Sequence, residues 1–271
     1  MATMAPQSFN SSLNITHIGT ATAIIDIDGV KFITDPYFSP SGTESETQGI
    51  PLKNRHNPAL GLQDLPPIDA VLLSHEDHPD NLDELGRRLL DGRHVLTTMD
   101  GAKNLAPRPG VRGLKPWETV TLDVGGRSFK VTGTPCQHLP PGECVGFLVT
   151  TDSFGSNPDG RPNAIYFSGD TVYLDELAQE IPKKFHVVAA LLNLGCAKVP
   201  LPTGEVIQIT MDGAQGARLF REIKADFLVP MHFDDWGHFT EYFDKLKQVF
   251  EQEGIQDKVC WLTPGKPRKV V

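Results

Sequence analysis

Two imidazoles and four carboxylates fall within nine residues: His75, Glu76, Asp77, His78, Asp80 and Asp83. Held close on a rigid turn, such groups suit a divalent cation, because imidazole nitrogen and carboxylate oxygen are the ligands that zinc, manganese and iron take. A plainer account makes the acids the start of a helix, where carboxylates meet the positive end of the helix dipole. That account covers Asp80 and Asp83 but not two histidines three residues apart.

The elements that flank the cluster say where it lies. Val71, Leu72 and Leu73 read as the end of a buried strand, and Leu82, Leu85, Leu89 and Leu90 begin a helical apolar rhythm running to about Asp91. The polar group therefore sits where a strand turns into a helix, at a sheet edge. The same arrangement recurs along the chain. A strand at Phe129–Thr132 runs into a Pro/Gly loop carrying His138, a strand at Ala164–Ser168 ends at Asp170, and a strand at Phe227–Pro230 is followed by His232. In open α/β sheets that carboxyl edge is where sites form. Histidines satisfied at random within a core have no reason to recur there. Cys136 is read as structural, because zinc–thiolate sites gather more sulfur. His238 is read as a substrate contact or proton donor, against a plain helix-start residue. His17 and His186 are read as structural, and His56 as a solvated loop residue.

Other elements follow from turn chemistry and periodicity. Asp28-Gly29 between Ala23–Ile27 and Val30–Ile33 predicts a hairpin, as does Gly125-Gly126 between Val120–Leu122 and Phe129–Thr132. Asp35, at the end of the first hairpin, either caps a turn or braces a metal ligand from behind. Residues 37–67 carry little periodicity and read as one long loop able to close over a pocket. Thr210 or Asp212 caps a helix through Ile223, a last helix reaches about Phe250, and Val259–Leu262 reads as a closing strand.

Bulk composition narrows the function. The chain has 271 residues, a net charge of −9 and 39% hydrophobic residues, enough for a real core. Lys and Arg form no block, which argues against nucleic acid as a partner. No apolar run reaches the ~18 residues that span a membrane, and no signal-peptide pattern opens the chain. The four cysteines are scattered, so reduced thiols and a cytoplasmic location are expected. The expected layout is a flexible tail over 1–12 and one domain over 13–271. A homo-oligomer is compatible with this composition.

The ordered set TDP, SHEDHPDNLD, TPCQH, FSGDT and VPMH resembles the metallo-β-lactamase superfamily. It is most similar to the branch with L-ascorbate-6-phosphate lactonases and N-acyl-phosphatidylethanolamine phospholipases, over residues 13–263. The resemblance implies an α/β fold, a four-layer αβ/βα sandwich, with one or two divalent ions at the top of its two sheets. Zinc is the first choice of metal, with manganese or iron as alternatives given the oxygen-rich set. The family signature H-x-H-x-D-H is altered here. His75 and Asp80 carry over, the second His maps to His78 or Asp77, and Asn81 replaces the last His. One ion would then use His75, His78 or Asp77, His138 and Asp170. The second would use Asp80, Asp170, His232 and the weak Asn81 oxygen. The implied chemistry is metal-dependent hydrolysis of a small ester, lactone, amide or phosphodiester. In it a cation lowers the pKa of water from ~15.7 to about 7. Asp80 or Asp170 would take the water's proton, and His238 would protonate the leaving group. The alternatives are a lyase, isomerase or oxygen-using enzyme on the same site, or a non-catalytic member. The chain has no GxSxG elbow and no glycine-rich phosphate loop.

Overall fold

The first three strands are a meander in the computed structural model, which describes residues 9–271 apart from Gln48 and Pro202. β1 (Leu13–Gly19) is followed by β2 (Thr22–Ile27) and β3 (Val30–Thr34). Asp28 and Gly29, with φ of 50° and 94°, form the tight turn between β2 and β3 that their types predict. The chain then makes a small hairpin of β4 (Glu44–Thr47) and β5 (Ile50–Lys53), and returns to the sheet as β6 (Ala70–Leu72). α1 (Glu84–Leu89), β7 (His94–Thr98), α2 (Met99–Asn104) and β8 (Val111–Leu114) complete this half.

The second half holds β9 (Thr119–Val124), β10 (Arg127–Pro135), β11 (Val145–Thr150), β12 (Asn163–Phe167), α3 (Asp175–Lys184) and β13 (His186–Asn193). A hairpin of β14 (Lys198–Pro200) and β15 (Val206–Gln208) precedes α4 (Gly213–Glu222), β16 (Phe227–Met231) and α5 (Phe243–Gln252). β17 (Arg268–Lys269) closes back onto β1. Among the described residues one sheet has seven strands in the order β17-β1-β2-β3-β6-β7-β8, and the other has six in the order β16-β13-β12-β11-β10-β9.

The central strands of both sheets, such as β6, β11, β12, β13 and β16, are buried on both faces. The strands accordingly read as near-continuous apolar runs, as sheets covered on two sides require. Ile15, Ile25, Phe32, Phe129, Phe147 and Leu191 meet in the core between the sheets. Leu177, Leu219, Phe220, Leu246 and Phe250 of α3, α4 and α5 cover the outer face of the six-stranded sheet. Leu89, Leu90 and Leu105 pack on the outer face of the other. The result is the expected four-layer αβ/βα sandwich. No helix among the described residues is long and apolar enough to cross a membrane.

Strand direction and one hydrogen bond between the sheets bring four chain segments to one edge. β3, β6, β7 and β8 are mutually parallel, as are β12, β13 and β16. β10 pairs antiparallel with β11, and β11 with β12, so β10 runs with β12. The carboxyl ends of β10, β12 and β16 therefore face one way, and the hydrogen bond from the Val145 amide to the Ser74 carbonyl brings the end of β6 to that edge.

Several expectations need correction. Residues 37–67 are not loop throughout, because β4 and β5 pair in register from Glu44↔Lys53 to Thr47↔Ile50. The polar residues of β4 hid that pairing. α1 is shorter than its apolar rhythm, starting only after Asp83, whose side chain accepts from the Gly86 amide. Val259–Leu262 is no strand: only Val259 forms a bridge, to Leu228, beside an edge strand. One more strand, β1, precedes the two of the Asp28-Gly29 hairpin. The expected tail over 1–12 lies mostly outside the described residues. Of its last residues, Phe9 is buried against the ring of Phe154.

Gly86 tests the packing of α1. A Cβ there would lie 1.8 Å from the Pro36 carbonyl oxygen. Gly86→Ala is therefore expected to destabilise by about 1–3 kcal/mol through overpacking, although alanine is favoured over glycine within helices by about 1 kcal/mol. Urea unfolding reads the sign, and an unchanged or raised midpoint would contradict the contact.

Candidate metal centre

His75, His78, Asp80, His138, Asp170, His232 and His238 converge at the shared edge. The nitrogen His78 Nδ1 lies 3.0 Å from His75 Nε2 and 3.1 Å from His138 Nε2. One ligand atom from each of these three rings lies within 4.8 Å of the others. Asp170 Oδ2 stands 3.8 Å from His138 Nε2 and 3.5 Å from His232 Nε2. Asp80 Oδ2 is 3.9 Å from His232 Nε2 and 4.0 Å from His238 Nε2. Asp77 is not in the group. It is exposed, and its Oδ2 would lie 2.6 Å from a Cβ added to Gly142, on the far side of the turn. Of the two alternatives for the second position of the motif, His78 is the one whose ring joins the cluster.

Hydrogen bonds behind the rings fix which nitrogen faces inward. Ser74 Oγ donates to Asp35 Oδ2 at 2.8 Å, so its lone pair accepts from His75 Nδ1, also at 2.8 Å. His138 Nδ1 donates to the carbonyl of Ile209 at 2.7 Å. Both rings thus turn an unprotonated Nε2 toward the cluster, as ligand histidines do when the other nitrogen is held from behind. Asn193 Nδ2 donates to Asp170 Oδ1 at 2.6 Å and leaves Oδ2 to the histidines. Asp35 also accepts from the Ser74 amide at 2.6 Å and from Asn81 Nδ2 at 3.0 Å. Asp35 is thereby a brace rather than a turn cap.

Sequence reasoning did not assign Ser74, Asn193 or the Ile209 carbonyl. Asn193 had a readable signal, since it ends a buried strand at the same edge as Asp170. The Ile209 contact had none, being a backbone oxygen 71 residues from His138. Residues read as ordinary are so placed: His17 Nε2 meets the Thr20 carbonyl, His186 lies beside Asn163 and Asp226, and Cys136 donates to the Ser168 carbonyl. His56 is more engaged than a solvated loop residue, with Nδ1 3.0 Å from Asp235 Oδ1.

Burial sets the charges of the cluster. It holds His75 well below its ordinary value, aided by His78 and His138, and lowers His78 to about 3 and His238 to about 4. It pushes Asp35 up to about 7 and Asp80 up to about 6. His232 is the exception: burial opposes its charge, but the Asp170 carboxylate overrides it and raises the ring to about 9. Asp170 is held well below the carboxylate range, against the burial that would raise it, chiefly by His232. The edge thus sets the uncharged imidazoles of His75, His78 and His238 beside the charged His232–Asp170 pair. His78 Nε2, His232 Nδ1 and Asn81 Oδ1 are buried without hydrogen-bond partners. Three inward nitrogens and a carboxylate oxygen match the ligand chemistry of zinc and similar divalent ions.

A small cavity opens onto this floor. Leu52, Leu139, Ala197, Val199, Ile209 and Phe239 wall it, and Thr47 and Leu52 come from the β4–β5 hairpin. Among its described lining residues there is no lysine or arginine.

Comparison with known proteins agrees with this arrangement. The beta-lactamase superfamily domain matches residues 31–233. The chain belongs to that superfamily. It is 40% identical to the N-acyl-phosphatidylethanolamine-hydrolyzing phospholipase D 1 of Caenorhabditis elegans, over 91% of this chain and 72% of that protein. It is 29% identical to the uncharacterized protein Rv0906 of Mycobacterium tuberculosis, over 84% of this chain, and spans only 60% of that relative's length. Other relatives are named metal-dependent hydrolases. The fold superposes on isothiocyanate hydrolase from Delia radicum gut bacteria with a TM-score of 0.75, at 22% identity over 94% of this chain and 98% of that one.

The brace behind His75 can be tested alone. Ser74→Ala keeps the fold but frees the His75 ring, and is expected to weaken metal binding by about 10- to 100-fold, as loss of a group that orients a ligand does. Titration calorimetry with zinc measures this, and an unchanged affinity would remove the brace from the account.

Proposed function

We propose that the chain hydrolyses a small, neutral acyl compound, an ester, lactone or amide, at the edge where the strands converge. His75, His78, His138 and Asp170 hold one divalent ion, and Asp80, Asp170 and His232 face a second. When bound, a divalent cation polarises the oxygen of the bond under attack and makes water acidic enough to react near neutral pH. The protein supplies the rest. Asp80 and Asp170 orient the attacking water and accept its proton. The acyl carbon gains the water oxygen and loses its bond to the leaving group. The proton held by Asp80 passes to that group as it departs.

The observation that supports a neutral substrate is the wall of the cavity. Leu52, Leu139, Val199 and Ile209 offer apolar surface, and no described lining residue carries a cation to receive a phosphate. Phosphate recognition ordinarily uses arginine or lysine.

A panel of p-nitrophenyl acetate, a γ-lactone, an anilide and bis-p-nitrophenyl phosphate separates the choices. After stripping with chelator and reloading with zinc or manganese, kcat/KM is expected to be higher for the neutral acyl substrates by about 10-fold or more, the scale on which a pocket mismatched to a substrate discriminates. Asp170→Asn is expected to remove activity by about 100-fold or more, as loss of a preorganised charged group does. Preference for the phosphodiester, or full activity after chelation, would overturn the assignment.

A further inference from the structure

His238 is held more firmly than a loop histidine needs to be. Trp236 is fully buried, packs edge-on against Tyr37 with centroids 5.2 Å apart, and bridges Asn54. Beyond His238, the amides of Thr240 and Glu241 both donate to the Gly195 carbonyl, at 2.9 and 3.1 Å. The segment is thus pinned to the β4–β5 side through Asn54 and to the loop after β13 through Gly195. Between the pins, the His238 ring packs against Phe239 with centroids 4.8 Å apart. It lines the cavity with Nε2 toward Asp80.

The ring lacks the hydrogen bonds that such placement would normally satisfy. Its Nδ1 is buried without a partner, and its Nε2 stands 4.0 Å from Asp80 Oδ2, beyond hydrogen-bond range. A buried ring nitrogen left without a partner is costly unless something else occupies it. The neighbouring gaps are of the same kind. Asp80 Oδ2 to His232 Nε2 is 3.9 Å and His232 Nε2 to Asp170 Oδ2 is 3.5 Å. Two ligands bound to one cation at about 2.0–2.2 Å stand about 3–4 Å apart. Asn81 is the other nearby candidate, its Oδ1 buried without a partner, but an amide oxygen is a weaker donor than an imidazole.

We propose that His238 is a ligand of the second divalent cation, joining Asp80, Asp170 and His232. This rests on the two-ion reading above and replaces the proton-donor role that the sequence offered for His238. The second ion would then be held by a residue from the loop that follows β16, and by Asp80 from the turn that follows β6. Its binding would tie those two segments together across the mouth of the cavity.

The test counts ions rather than turnover. Metal-free full-length protein is titrated with zinc by calorimetry, and bound zinc is measured after dialysis. Wild type is expected to bind about two equivalents, and His238→Ala about one, with the weaker step at least about 100-fold poorer in affinity. Cobalt substitution gives a second readout, since loss of one site removes its share of the visible absorption. Equal unfolding midpoints of the metal-free proteins show that the variant is folded, and His238→Gln replaces it if they differ. Retention of two equivalents with unchanged affinity by the variant overturns the assignment of His238 alone. A single equivalent in wild type overturns the two-ion reading as well, while leaving the His75, His78 and His138 site standing. Loss of one equivalent in the variant with the other intact is the outcome that supports the proposal.

Discussion

The carboxylate of Asp35 is what the polar edge hangs from. It is fully buried at the end of β3 and accepts hydrogen bonds from the Ser74 amide, Ser74 Oγ and Asn81 Nδ2. Burying such a group without partners costs several kcal/mol, which is why all its contacts are donors. Its backbone is held at φ 30°, a region that non-glycine residues rarely occupy. Through Ser74 it sets the His75 ring, and through Asn81 it steadies the turn that carries His78 and Asp80. The Ser74 carbonyl in turn accepts from the Val145 amide, so this point also joins the tops of the two sheets. His232, likewise at positive φ, is tied to the other sheet by its amide bond to the Thr20 carbonyl.

This architecture explains why a cation suits the site. Seven imidazole and carboxylate groups stand together, and burial holds His75, His78 and His238 uncharged. His232 and Asp170 keep opposite charges, at 3.5 Å. A low-dielectric setting of that kind makes each electrostatic contact stronger than it would be in water, and leaves unpaired donors expensive. A divalent ion answers both conditions at once. Under the proposed function, the apolar wall above it would receive a substrate whose only polar part is the bond being cut.

Much of the fold was readable because its signals are local. Asp28-Gly29 and Gly125-Gly126 set two hairpins, and apolar runs such as Val187–Leu192 marked strands buried on both faces. The site was readable for a related reason. His138, Asp170 and His232 each follow a buried run directly, and strand direction then brings them to His75. What escaped depends on contacts distant in sequence or on ring orientation. Spacing alone left His78 and Asp77 equivalent, and only the path of the turn points one inward and the other to solvent. The β4–β5 hairpin is polar along one strand and so lacks the alternation that betrays a strand. Val259 pairs only at one point because the backbone leaves the edge of the sheet after Cys260 donates to the Leu228 carbonyl.

Diffraction from crystals soaked in zinc, recorded on both sides of the zinc absorption edge, tests the central claim most directly. An anomalous peak within bonding distance of His75, His78, His138 and Asp170 is the predicted result. A peak held by other residues, or none at this edge under saturating zinc, would contradict the account.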